Sequence, residues 1–141
     1  MFSPLVGVRV LELAPFLPGP FAGAQLLALG AEVVKLEPPS GEPGRHLPDE
    51  LFAMNNRRKK SVCVDLKAPG AGAFVQRLVA GFDVVLEGFR PGVAARLGVD
   101  YDTLKQARPD LIYCSLSGFG QTGPRAALPG HDLTYLAAGG A

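Results

Sequence analysis

The sequence predicts an α/β fold: a Rossmann-like parallel sheet with helices on both faces. Three observations carry that prediction. Five short β-rich runs recur along the 141 residues, segments of helical period separate them, and glycine and proline gather where the runs end. The runs are also nearly continuous in apolar residues, as expected of strands covered on both faces.

The first run is "VRVLEL" at 8–13. It follows an apolar start, "MFSPLVG", but Arg9 and Glu12 interrupt the stretch, and there is no basic leader with a small-residue cleavage site. It reads as a strand, not a signal, and the chain is expected to be cytoplasmic. The segment "PFAGAQLLALG" then predicts a helix with Pro20 at its first position and Gly30 just past its last. With the second run, "EVVKLE" at 32–37, this makes a right-handed βαβ unit. "SVCVDL" at 61–66, "DVVLEG" at 83–88 and "LIYCSL" at 111–116 complete the strands, and "HDLTYLAA" predicts a last helix. No internal repeat and no linker marks a second domain.

The Gly and Pro residues, 18 and 13 in number, fall mainly in the loops after the strands: "APFLPGP", "PPSGEPG", "KAPGAG", "GFRPG" and "SGFGQTGP". In an open parallel sheet the ligand crevice lies outside the carboxyl ends of the strands, so these loops are the expected wall of the site.

Composition narrows the function. Hydrophobic residues make up 48% and charged residues 19%, which excludes a disordered tail. No apolar run approaches the ~20 residues of a membrane span, so no membrane partner is expected. A net charge of +1 gives no global footprint for nucleic acid. Cys63 and Cys114 lie inside strand-like runs without a CxxC or metal-ligand neighbour, and are expected to be buried, reduced thiols. No metal site is expected.

The first βαβ unit invites a dinucleotide-binding reading, but "LPGPFAGA" lacks GxGxxG, so nicotinamide and flavin are not expected. Ser115 and Ser117 stand outside a GxSxG elbow, which removes the serine-hydrolase reading. Arg57, Arg58, Lys59 and Lys60 would suit a polyphosphate, although a solvated surface run is the simpler expectation. Arg90 in "EGFRPG" stands at the carboxyl end of a strand, either facing the crevice or paired with Glu87. His46 reads as a solvated loop histidine. His131 opens the last helix, where spacing alone suggests a capping residue with Asp132 in the first turn. With an ordinary pKa near 6.5 it would also be mostly neutral at pH 7 and competent as a general base.

Taken together, "GVRVLEL", "GPFAGAQLLALGAEVVKLEPPSG", "NRRKKSVCVDLK", "DVVLEGFRPGVAARLGV", "PDLIYCSLSGFGQTGPR" and "GHDLTYLAAGG" resemble the N-terminal part of the class III CoA-transferase and alpha-methylacyl-CoA racemase superfamily. The resemblance covers the whole chain in order. It implies that residues 1–141 are the N-terminal part of a CoA-binding large domain, cut from a longer chain that forms an interlocked homodimer. The "GHD" at 130–132 resembles the racemase branch and implies a 2-methylacyl-CoA racemase, with His131 as one of two catalytic bases and the partner Asp beyond Ala141. CoA transfer between carboxylic acids is the alternative, and an inactive CoA-binding fragment is the alternative for this chain alone. The resemblance further assigns Gly130, Asp132 and Tyr135 to the acyl-CoA site, Val64, Asp65, Leu66 and Lys67 to the coenzyme's nucleotide portion, and Arg90 to its phosphates. No cofactor beyond the CoA moiety of the acyl-CoA thioester is implied. Glu37 is followed by Pro38 and Pro39 where racemase relatives commonly carry an arginine, a contact the Arg57 to Lys60 cluster would have to replace.

Overall fold

A computed structural model describes residues 3–140. Five parallel strands form one sheet in the order β3-β2-β1-β4-β5. They are β1 (Arg9–Leu13), β2 (Glu32–Glu37), β3 (Lys60–Cys63), β4 (Val84–Glu87) and β5 (Ile112–Ser115). Each lies within or one residue outside its predicted run. The third run is cut short, because Val64 makes a last bond to the Glu37 carbonyl and Asp65 then accepts the Lys67 N–H in a turn.

The register explains the two cores. Leu11 stands beside Val34 and Val85, and Val10 beside Val33 and Val84. On the first face, Leu11, Leu13, Val34, Leu36 and Val85 meet Val75 and Val79 of helix α3 (Ala71–Val79), together with Val99, Leu104 and Leu111. On the second, Val10, Val33 and Leu86 meet Ala22, Leu26 and Leu27 of helix α1 (Pro18–Ala28). Helices therefore cover both faces. Each such fully buried aliphatic side chain is worth roughly 1.5–3 kcal/mol.

Helix α1 starts two residues before the predicted position, with Pro18 at the first position and Pro20 still in the first turn. Neither proline costs an intrahelical bond, because first-turn N–H groups have no partner inside the helix. Gly30 ends it as expected, at φ 105° with its N–H on the Leu27 carbonyl. Helix α2 (Asp49–Asn56) follows a short 3-10 turn at Pro43–His46, on which His46 is exposed. After β4 come two short helices, α4 (Val93–Leu97) and α5 (Tyr101–Leu104). Asp100 caps α5, its carboxylate accepting the Thr103 N–H at 3.2 Å and the Thr103 hydroxyl at 2.7 Å. Asp100→Ala is expected to lower stability by about 1 kcal/mol, the ordinary worth of an N-cap, as read from the midpoint of urea unfolding.

The cysteines depart from expectation. Cys63 is exposed and Cys114 only half-buried, both as free thiols. They sit on β3 and β5, the two edges of the sheet, where helices cover less of the surface. No helix among the described residues is long and apolar enough to cross a membrane.

Candidate functional site

The chain winds from β1 outward to β2 and β3, then returns to place β4 on the other side of β1. The strand order therefore reverses between β1 and β4, where the loops diverge and leave a crevice. A cavity of about 240 Å³ lies beside this point. Its wall is Leu13 at the end of β1 with Ala14 and Pro15 after it, Lys35 and Leu36 of β2 with Pro38, Glu42 and Pro43 beyond, and Val64, Asp65, Leu66 and Lys67 after β3, with Phe89 and Leu97. Four residues assigned to the nucleotide portion of a coenzyme thus share one largely apolar cavity. The loop after β5 does not line it.

Arg90 is exposed in the loop after β4 and is not part of the cavity wall. It makes no ion pair with Glu87 among the described residues. Glu87 is buried and turns back to accept the Phe89 N–H at 2.7 Å, which closes the strand end and leaves the guanidinium in solvent.

Gly130, His131, Asp132 and Tyr135 form a second group, at the start of helix α6 (Asp132–Gly139). His131 is the exposed N-cap; its N–H donates to Thr134 Oγ1 at 3.4 Å and its carbonyl accepts the Thr134 N–H at 2.9 Å. The capping position and the exposed imidazole are compatible, because these bonds use the backbone. Tyr135 donates to the Gly130 carbonyl at 2.9 Å and packs edge-on against Phe119 at 5.1 Å. Its ring occupies the space that a Cβ at Gly118 or Gly130 would need. This contact ties the helix to the loop after β5. None of the four residues lines the cavity.

Sequence reasoning missed the feature that underlies the cavity, a buried ionic network on the α1 face of the sheet. Glu12, with no exposed surface, accepts Lys35 Nζ on one oxygen and Lys59 Nζ on the other, each at 2.7 Å. Lys35 also lies 2.9 Å from Glu42, and the side chain of Lys59 is almost wholly buried. Burial outweighs the attraction of Glu12 and holds the Lys59 ammonium below the usual lysine range. The run from Arg57 to Lys60 is accordingly not one solvated surface cluster. Arg57, Arg58 and Lys60 are exposed, but Lys59 turns inward because Glu12 awaits it.

Glu37, also buried, accepts Arg45 Nε at 2.6 Å and Nη2 at 2.7 Å, Ser61 Oγ at 2.6 Å and the Glu42 N–H at 3.1 Å. The Arg45 bonds foremost, helped by Ser61 and the Glu42 N–H, outweigh burial and hold its carboxyl at about 2, against an ordinary 4.5. Between those values the unfolded chain binds the proton and the folded chain does not, so stability is lost as pH falls through this window. The expected loss is roughly 2 kcal/mol after discounting for water around the half-exposed guanidinium. Urea midpoints between pH 5 and pH 2 should show it, and Arg45→Met should flatten the slope.

Among the described residues, no group of three or more His, Cys, Asp or Glu side chains could hold a metal ion. The profile of CoA-transferase family III matches residues 5–141. The chain is similar to a succinate–glutarate CoA-transferase of Agrobacterium fabrum, 43% identical over 143 residues, covering 92% of this chain and 36% of that protein. It is also similar to an alpha-methylacyl-CoA racemase of Mus musculus, 45% identical over 136 residues, covering 96% and 34%. A crystal structure of a hypothetical protein from Mycobacterium tuberculosis superposes with a TM-score of 0.93 at 45% identity, covering 98% of this chain and 40% of that one. The chain therefore spans little more than a third of the length of these relatives.

Proposed function

The chain belongs to CoA-transferase family III, and from that premise we propose that residues 1–141 are the N-terminal part of the CoA-binding large domain of a longer acyl-CoA enzyme. The cavity takes the nucleotide portion of the coenzyme. Val64, Leu66 and Phe89 supply apolar surface, Asp65 and Lys67 supply polar contacts at the rim, and Arg90, free in solvent beside it, meets the phosphates. The longer enzyme is a homodimer with interlocked subunits.

For the reaction, we read the chain as part of a 2-methylacyl-CoA racemase. The observation that carries this is His131, an exposed imidazole at the N-terminus of α6, followed by Asp132 and next to the Tyr135–Gly130 bond. A proton beside a thioester carbonyl is a weak carbon acid. Inverting that carbon takes a base on one face, a stabilised enolate, and an acid on the other. Neutral His131 removes the proton, and a carboxyl from the longer chain returns one to the opposite face. Backbone N–H groups of the glycine-rich loops or the start of α6 stabilise the enolate oxygen. This chemistry calls for no metal and no cofactor beyond CoA itself.

CoA transfer between carboxylic acids is the second reading. It is favoured by the several relatives with transferase names, which are about as similar to this chain as the racemase is. Proton NMR of a 2-methylacyl-CoA in D₂O, with the protein extended beyond residue 141, separates the two. Loss of the α-proton signal together with stereochemical purity supports the racemase. A folded, CoA-binding protein that exchanges no α-proton overturns it in favour of transfer. The alternative for this chain alone, a fragment that binds CoA without turnover, is tested by titrating the 141 residues with CoA.

A further inference from the structure

The loop joining β1 to α1, Ala14 to Leu17, and the first helical turn after it are unusual in how they are held. Phe16, half-exposed at the loop's tip, has φ 64°, a left-handed conformation that bulky L-residues rarely adopt. Strain of this kind persists only where the surroundings over-determine it. Here they act at the start of the loop and on the first turn of α1 that follows it. Lys35 Nζ donates to the Ala14 carbonyl at 3.0 Å, and Lys59 Nζ donates to the Pro20 carbonyl at 2.8 Å. The same two ammoniums share Glu12, one on each oxygen.

An ammonium has three donors, and each lysine directs them the same way: one to Glu12, one to a backbone carbonyl, and one toward a further anchor. That anchor is Glu42 for Lys35, at 2.9 Å, and Asn56 for Lys59, at 3.3 Å. Two glycines make room for the arrangement. A Cβ at Gly23 would overlap Glu12 Oε2, and a Cβ at Gly19 would overlap the Ala14 side chain. Such a network is a costly way to stabilise a fold, since apolar side chains of similar volume often do as well or better. What they cannot do is bond two particular carbonyls.

We propose that Glu12, Lys35 and Lys59 are positioning residues that hold the start of the β1–α1 loop and the first turn of α1 after it, and so fix the loop's shape at the point where the strand order reverses. Ala14 and Pro15 line the cavity, and the loop touches the one after β4, where a Cβ at Gly88 would lie 3.2 Å from Ala14 Cβ. The clamp thus presets one wall of the site before a ligand arrives. Its service to the site rests on the acyl-CoA reading above; its effect on the loop does not.

The test compares the protein with Lys59→Met, and with Glu12→Gln/Lys59→Met, which removes the charges as a pair if the single variant does not fold. Two quantities are read: the ¹³Cα shifts of residues 14–20, which report the left-handed Phe16, and the affinity for CoA. The expected result is loss of the Phe16 signature, unchanged shifts in β4 and β5, and CoA binding weaker by about tenfold, the effect of losing preorganisation. A folded variant that keeps the Phe16 signature overturns the clamp, as do shifts that change across the whole sheet. Release of Phe16 with CoA affinity unchanged overturns its service to the site. If the unmutated protein binds no CoA but Phe16 is released in the variant, the clamp stands and the acyl-CoA reading falls.

Discussion

Glu12→Gln is expected to lower stability by about 3–5 kcal/mol, the usual cost of removing one partner from a buried ion pair. The substitution keeps the shape of the side chain and removes only its charge. Lys35 would retain Glu42 and the Ala14 carbonyl, but Lys59 would keep only neutral oxygens, on Pro20 and Asn56. An ammonium so enclosed must either stay charged without a counter-ion or give up its proton, and burial already pushes Lys59 toward the second. Against a typical domain stability of about 5–15 kcal/mol, that loss would bring the chain close to unfolding. Urea unfolding at pH 7 measures it. The double variant Glu12→Gln/Lys59→Met should lose less than the two single losses added together, because it leaves no orphaned charge. A loss below about 1 kcal/mol for Glu12→Gln would mean that the neutral contacts suffice, and that the carboxylate is not the hub of the network.

The sheet could be read from the sequence because its signals are local. Apolar continuity in "EVVKLE" and "DVVLEG", and the Pro and Gly that bracket α1, each act within a few residues, and the structure follows them closely. The network could not be read in this way. Glu12 and Lys59 are 47 positions apart, and nothing near either one signals the other. A weaker signal did exist: Glu12, Lys35 and Glu37 interrupt strands otherwise expected to be covered on both faces, and a charge there must find a counter-charge or forfeit the strand. The cysteines failed for a related reason. Their runs look like strand interiors, but burial depends on the strand's place in the sheet, and β3 and β5 are its edges. Of the candidate site, local pattern supplied only the crevice loops after the strands and the last helix. The loops after β1, β2 and β3 enclose a cavity lined by Val64 to Lys67. Gly130 to Tyr135, assigned to the acyl-CoA site from the resemblance alone, lie at the start of α6 and outside that cavity.

That division of the site into two groups sets up the second large effect. His131→Ala, made in the longer enzyme, is expected to reduce α-proton exchange from one enantiomer of a 2-methylacyl-CoA by about 10²–10⁴-fold, the range supplied by a positioned general base. CoA affinity should stay within about twofold, because His131 is exposed, does not line the cavity and uses its backbone to cap α6. The combination discriminates where either result alone would not. A variant that lost exchange and CoA binding together would point to damage at the start of α6, through the Tyr135 contacts with Gly130 and Phe119. Asparagine at 131 should separate these cases, since it caps helices well but has no basic nitrogen. Loss of exchange in both His131→Ala and His131→Asn, with CoA still bound, assigns the proton transfer to the imidazole. Unchanged exchange from both enantiomers removes His131 as the base, and with it the feature that favours racemisation over CoA transfer.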